Sequence, residues 1–367
     1  MEIDSVESFA VRIPLDAPVS FATKTVEART HAITRIRTVS GIEGIGYSMG
    51  YEGVSLITDT VTDILSPMLV GADPRDTERL WRTMFDGTVQ IGRKGAVLRA
   101  ISTVDMALWD IVAKAADQPL HKLLGAYADA VPAYASGGYY REEKGTAGLR
   151  AEMDRYVEAG HDAVKMKVGR LDRAEEVERV RAVRETIGPD RDLLMDANGA
   201  WSSAPAAVDA CRAFAEFDPY FIEEPVMPDS VELMATVNDA IRYPVAAGEL
   251  EFSRYGFVQL LEAGAVDIIQ PDVTVVGGVT EWLKVANLAA CYDVPVAPHY
   301  NWNIHAPLVA AIENGHWIEY FYRDTDIVPF DDIVRSPVTP ENGRIQVPDR
   351  PGHGVELDDD RLEAYRM

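Results

Sequence analysis

The chain has 367 residues, 47% of them hydrophobic and 26% charged, with a formal net charge of −24. That length supports a large core and, at one domain per ~150 residues, suggests about two domains. The acidic balance opposes nucleic acid and anionic membrane surfaces, both of which attract basic patches, and it reads as a solubility feature.

Two cysteines, Cys211 and Cys291, fall within apolar helical patterns and lack metal-site spacing, so they read as small core hydrophobes in a reducing compartment. The opening Met1-Glu2-Ile3-Asp4-Ser5 has no basic segment followed by an apolar one, and no apolar stretch approaches ~18 residues. A cytoplasmic location is expected.

Residues 1 to about 48 alternate apolar and polar, at Val6 to Val11, Ala32 to Arg37 and, after a Ser40-Gly41 turn, Ile42 to Gly46, which predicts a small antiparallel sheet. The stretch from Pro18 to Thr25 has no clear period and reads as a loop. From Leu56 to Leu124 the period is helical, clearest at Ile101, Val104, Leu108 and Ile111 between Arg99 and Ala115. Residues 1–128 therefore form an α+β unit. From 129 to 325, short β-like runs recur between helical patterns, as in a barrel of βα units. Strands are expected at Val131 to Ser136, Ala163 to Lys167, Leu193 to Asp196, Phe221 to Glu223, Val245 to Ala247, Asp267 to Gln270, Val296 to Pro298 and Trp317 to Glu319. The tail, 326–367, has turn-rich composition and strand candidates at Arg344 to Val347 and Gly354 to Leu357, expected to return to the N-terminal sheet.

Alternate side chains of a strand point the same way, so Lys165 and Lys167 share a cationic face. A barrel interior normally receives branched apolar residues, and two ammonium groups there need carboxylates or an anionic ligand. Reading the predicted strand ends in order adds Asp196, Glu223, Glu249, Asp272, His299 and Glu319. Three carboxylates from adjacent strands suit a hard divalent cation such as Mg²⁺, and so a substrate able to chelate it. The like charge of Lys165 is expected to lower the pKa of Lys167 and make it a base near neutral pH. Asp272 holding one imidazole nitrogen of His299 makes a second proton-transfer group.

With Lys165-Met166-Lys167, Asp196-Ala197-Asn198, Ile222-Glu223-Glu224-Pro225, Ala247-Gly248-Glu249, Pro271-Asp272 followed by Gly277-Gly278, Pro298-His299 and Trp317-Ile318-Glu319, the chain resembles the enolase superfamily, in its mandelate racemase-like subgroup. Asp105 to Asp110 with Leu123-Leu124-Gly125 is similar to that family's capping-domain helix. The resemblance spans essentially the whole chain. It implies a modified TIM barrel, (β/α)7β, with an α+β cap built from the N-terminal region and the C-terminal tail.

The resemblance further implies that Asp196, Glu223 and Glu249 bind Mg²⁺, with Glu224 behind them. Lys167 would be one base, Lys165 would contact the substrate carboxylate, and Asp272 with His299 would be the opposite acid or base. Glu319 would hydrogen-bond an enediolate oxygen. The shared step is removal of the proton α to a carboxylate, a chemistry carried over from the superfamily. A homo-oligomer, dimer or octamer, is expected on the same ground.

Specificity in this family lies in cap loops, here Phe21 to Thr30 and Gly46 to Gly53. Thr23, Lys24, Thr25, Glu27, Tyr47, Ser48, Tyr51 and Glu52 suggest a polar lining suited to a polyhydroxy acid. Lys24, Asn198 and Asn301 are the candidate substrate contacts, with Asn303, Tyr139 and Tyr140 adding polarity. The expected activity is an acid-sugar dehydratase giving a 2-keto-3-deoxy acid. The alternatives are a sugar-lactone cycloisomerase, a racemase or epimerase and, more remotely, a non-catalytic sugar-acid-binding protein.

Overall fold

The computed structural model describes residues 1–367. The alternating N-terminal segments form an antiparallel sheet in the order β1 (Ile3–Ser20), β2 (Thr25–Thr38), β3 (Glu43–Met49). The expected loop at Pro18 to Thr25 is instead the tip of a long hairpin, with Val19 paired to Val26 and Ser20 to Thr25. The register slips between Pro14/Ala28 and Val19/Val26, placing more residues on β1 than on β2. Such an irregularity breaks the alternation by which a strand is recognised, and the edge position of β1 tolerates its two prolines. Ser20 and Tyr140 exchange backbone hydrogen bonds of 2.9 and 2.8 Å, tying the hairpin tip to the second unit.

The helix Ala96–Ala115 buries Leu98, Ile101, Val104, Leu108 and Ile111, the stripe seen in the sequence. It also docks the cap on the barrel. Asp105 accepts hydrogen bonds from Thr280 N (2.8 Å) and Oγ1 (2.6 Å), and Trp109 Nε1 donates to the same hydroxyl at 2.8 Å. Gly278 has a φ of +84°, and a β-carbon there would lie 2.5 Å from Asp105, so this close approach requires glycine.

The second unit is a closed parallel barrel. β4 (Ala130–Gly137), β5 (Ala163–Lys167), β6 (Asp192–Asp196), β7 (Pro219–Glu223), β8 (Val245–Ala247) and β9 (Ile268–Ile269) follow one another, and β10 (Ile318–Tyr320) pairs back onto β4. The expected strand Val296 to Pro298 is reduced to single bridges from Val296 to Ile269 and Gly315. Pro295 and Pro298 explain this, since neither has an N–H to give to a ladder. With that reduced position counted, the architecture is (β/α)7β.

One inward residue from each of the eight wall positions contributes to an apolar floor: Tyr134, Ala163, Leu194, Phe221, Ala246, Ile268, Ala297 and Trp317. Two residues further along, the same inward direction carries Lys165, Asp196, Glu223, His299 and Glu319. The charged layer is thus one pleat above a dry one.

The tail differs in part from expectation. β12 (Arg344–Gln346), joined by β11 (Pro340–Glu341), pairs antiparallel with β4 of the barrel and not with the N-terminal sheet. Gly354 to Leu357 forms no strand, and only Leu357 makes a bridge, to Val334. The cap is reached elsewhere, through the His353 ring against the Ile45 carbonyl (2.7 Å) and an Arg366–Val11 bridge. Cys211 is buried as expected, whereas Cys291 is exposed, because the helix Gly278–Ala290 ends just before it. No helix is long and apolar enough to cross a membrane.

Two expectations for stability follow. Asp105→Ala strands the buried N–H of Thr280, at a cost of about 2–3 kcal/mol for the lost pair of bonds; the urea midpoint should fall accordingly, and an unchanged midpoint contradicts the docking role. His31, wholly buried, has its pKa pushed down to about 3 by burial and then by the charge of Arg29. The unfolded chain takes up this proton below about 6.5 and the folded chain does not. Stability contributed by neutral His31 is therefore present above pH 6.5 and is lost as pH falls towards 3. His31→Phe should flatten the acid slope of the unfolding free energy by about 1.4 kcal/mol per pH unit, as read by denaturant titration at pH 4 to 6.

Candidate active site

The barrel mouth brings together nearly every charged residue singled out in the sequence. Asp196, Glu223 and Glu249 are buried, and one ligand oxygen from each lies within 4.8 Å of the others. Asp196 and Glu223 come from adjacent, fully paired strand ends. Glu249 follows β8 through Gly248, whose φ of +133° turns the chain; a β-carbon there would crowd Phe257 at 2.7 Å.

Lys165 Nζ contacts Glu223 Oε2 at 2.6 Å, Glu319 Oε1 at 2.7 Å and Asp196 Oδ2 at 3.8 Å, while Lys167 Nζ pairs with Asp196. These contacts revise the expected electrostatics of Lys167. Burial and the neighbouring Lys165 both act to lower its pKa, but Asp196, Tyr139 and Glu223 together outweigh them and the net direction is upward. Lys165 is likewise carried upward, against burial, by Glu223 and Glu319. Glu223 and Glu224 go up because of burial and because other carboxylates crowd them, chiefly Asp196 for the first and Glu249 for the second.

Across the mouth, His299 Nδ1 lies 3.0 Å from Asp272 Oδ2, and its Nε2 lies 3.4 Å from Glu249 Oε2. Burial lowers the imidazole pKa, yet Glu249 and Asp272 together raise it to about 9. Asp272 is fixed by Thr274 N (2.8 Å) and by Asn301 Nδ2, at 3.0 and 3.2 Å from its two oxygens. Tyr300 and Asn301 have φ of +25° and +40°, a left-handed backbone that costs about 1–3 kcal/mol per residue. The hydrogen bonds from Asn301 to Asp272 and from Tyr300 N to Glu319 Oε2 (2.8 Å) hold that strain in place.

Some expected contacts differ. Glu319 accepts from Tyr300 N on one oxygen and ion-pairs with Lys165 through the other; Lys165 and His299 overcome burial to hold it ionised, so in this geometry it orients Lys165 and has no proton to donate. Asn301 serves Asp272 and does not line the cavity, whereas Asn198 does. Lys24 lies outside, paired with Glu52 at 3.2 Å on an exposed surface. Asn303 is buried, its amide donating to Asp331 at 2.8 Å, away from the cavity.

The expected polar lid is met only in part, by Tyr51 and Tyr139. Thr23, Thr25 and Glu27 do not line the cavity, and Tyr47 and Ser48 are packed beneath it. Its walls are Phe21, Met49, Tyr51, Tyr139, Tyr300, Phe321 and Val328, joined by Arg29, which the sequence reading did not single out. Arg29 sits in the alternation Arg29, His31, Ile33 along β2, and two basic residues on a buried strand face were the signal available. The space is about 40 Å³, little more than one water's share of liquid volume. A groove of about 1320 Å³ runs outside the tip along Tyr140, Arg141 and Arg170 and holds none of the acid trio.

A capped (β/α)7β barrel with an acid trio, two lysines and a His–Asp pair at its mouth defines an enolase-like enzyme. Residues 148–361 match the enolase C-terminal domain-like family, and residues 3–125 match the mandelate racemase / muconate lactonizing enzyme N-terminal domain. The chain belongs to the enolase superfamily, in its mandelate racemase-like subgroup. It is 36% identical over 340 residues to an arabinonate dehydratase of Saccharolobus solfataricus, covering 91% of this chain and 90% of that one. It is 35% identical over 365 residues to a 3,6-anhydro-alpha-L-galactonate cycloisomerase of Streptomyces coelicolor, covering 98% of each. A solved racemase from Streptomyces coelicolor A3(2) with bound magnesium superposes with a TM-score of 0.93 at 33% identity, over 100% of both chains.

The donor set fits a hard divalent cation. Glu223 Oε1 is buried without a hydrogen-bond partner, and the trio offers only oxygen ligands. Magnesium added to chelator-treated protein is expected to raise the thermal midpoint, and Glu223→Gln to remove that rise. A midpoint that ignores magnesium in the unaltered protein excludes a metal held by this trio.

Proposed function

We propose that this enzyme removes the proton α to the carboxylate of an acid sugar and eliminates the β-hydroxyl as water, giving a 2-keto-3-deoxy acid. One observation carries this reading: two proton-transfer groups face one cavity from separate arcs of the wall. Lys167 stands on the second wall position, and the His299–Asp272 pair spans the sixth and seventh, with the acid trio on the arc between. Lys167 and His299 both line that cavity. A binding protein needs no such pair.

Asp196, Glu223 and Glu249 would hold Mg²⁺, which when bound supplies positive charge where the substrate carboxylate gains negative charge. A cation held by those carboxylates would weaken their grip on the lysines. The like charge of Lys165 then counts for more at Lys167, and the base reading of Lys167 depends on that change. Lys165, oriented by Glu319, meets a carboxylate oxygen of the substrate, and its attraction grows as charge develops. Lys167 takes the α-proton. His299, held by Asp272 in one orientation, gives a proton to the departing hydroxyl. Asn198 is a further contact from the cavity wall.

A cycloisomerase is the second reading, favoured by the apolar walls. Phe21, Met49, Phe321 and Val328 offer no partners to free hydroxyls and suit a ring form of the substrate. The leaving oxygen would then belong to the ring, with His299 protonating it. Either way the partner is a small acid sugar. We place the protein in the cytoplasm as a homo-oligomer; its two free cysteines support the first part, and family resemblance alone the second.

Incubation with aldonates, aldarates and their lactones in deuterated water with magnesium tests this. Loss of water with a 2-keto product is expected, and Lys167→Ala and His299→Asn should each lower kcat/KM by about 10²–10⁴. Deuterium uptake without loss of water would make the enzyme an epimerase, and a keto acid isomeric with a lactone would make it a cycloisomerase.

A further inference from the structure

One cation at the cavity has no acid of its own. Arg29, on β2, is 3% exposed, yet it takes part in no ion pair. Its Nε donates to the Ile327 carbonyl at 2.9 Å, and one terminal nitrogen lies 3.8 Å from Met49 Sδ. The other cations of this cavity are matched, Lys167 by Asp196 and His299 by Asp272 and Glu249. A guanidinium is always charged and presents five donors in a planar fork that fits a carboxylate. One carbonyl and one sulfur leave most of that capacity unused, and a buried charge without a counter-charge is unfavourable unless a ligand completes it.

The setting identifies that ligand as an anion. Arg29 lines the cavity with Lys167, Glu249 and His299, but it reaches in from the cap. Around it stand Phe321 and Val328, which offer no competing hydrogen bonds, and Met49, whose sulfur is only a weak acceptor, and all three give little screening. The other basic side chains nearby do not compete. Lys24 is half-buried and paired with Glu52, Arg99 donates to the Met49 carbonyl at 3.0 Å, and Arg141 donates to the Thr325 carbonyl at 2.5 Å.

We propose that Arg29 receives a second carboxylate, at the end of the substrate away from the acid trio, and so selects diacids (aldarates) over mono-acid aldonates. This rests on the reading above that the first carboxylate lies at Lys165 and the acid trio. A neutral hydroxymethyl end hydrogen-bonds a guanidinium but does not neutralise it, so the mono-acid leaves the buried charge uncompensated.

The test pairs each aldarate of a panel with the aldonate of matching configuration, galactarate with galactonate and glucarate with gluconate among them, on the magnesium-loaded enzyme. Binding is read by calorimetry, turnover by kcat/KM, and α-proton exchange in deuterated water by mass spectrometry. A diacid preference of at least about tenfold is expected in binding and in kcat/KM. Arg29→Gln should abolish it mainly through KM, and Arg29→Lys should restore part. Equal exchange and equal binding of both members of every pair overturn the role of Arg29 while the proposed reaction stands. Diacid binding that depends on Arg29, with no exchange of any acid, overturns the reaction and supports the anion site. If Arg29→Gln fails to fold, the ratio measured on the unaltered enzyme decides alone, and a ratio near one overturns the proposal.

Discussion

Charge buried away from water governs how this barrel mouth is built. Lys165, Lys167, Asp196, Glu223, Glu224, Asp272 and Glu319 are each at most 4% exposed. Removing any such group from water costs several kcal/mol, and only an opposite charge at contact distance offsets it. The strands therefore have to be in register, because a one-residue slip of β5 would turn both lysines out of the bore and leave three carboxylates without cations. Cohesion has to come from elsewhere, and the eight-residue apolar floor lies directly beneath. The charged layer is a cost borne by the dry one.

The cap belongs to the same logic. Its hairpin brings Phe21 against Tyr139 in an edge contact and places both rings near the Lys167 ammonium, at 5.8 and 4.9 Å. Aromatic faces attract a cation while excluding water, which strengthens every ion pair below. Beyond the lysine, Glu176 accepts from the Gly169, Arg170 and Leu171 amides at 3.1, 2.9 and 2.8 Å and from the Tyr140 hydroxyl at 2.5 Å. One carboxylate thus shapes the turn after β5 and links it to the segment that the hairpin tip grips.

Much of this was legible because strands and barrel ends obey simple periodicities. Lys165 and Lys167 are two apart, and the acids end short apolar runs, so convergence at one mouth followed from strand direction alone. The hairpin tip was not legible, since its register slip and prolines erase the alternation that marks a strand. Nor was the lining of the lid: composition shows that Thr23, Lys24 and Glu27 are polar, but not that they face outward while Phe21 and Arg29 face in. Asn301 and Glu319 carried the right residue types for substrate contact, yet Asn301 hydrogen-bonds Asp272, and Glu319 accepts from Tyr300 N and pairs with Lys165. Those partners are set by left-handed backbone at Tyr300 and Asn301, a conformation that ordinary residues rarely announce.

The barrel wall is uneven in stiffness. Five residue pairs join β5 to β6 and four join β6 to β7, whereas β8 and β9 share two and Val296 is held by one bridge on each side. A ladder resists shear in proportion to its rungs, and segments with few rungs open at lower free energy than the rest. The acid trio thus begins on the rigid arc and the His299 side stands on the compliant one. Asp196 and Glu223 stand where the ladders are denser, and Glu249 and His299 where they are sparser.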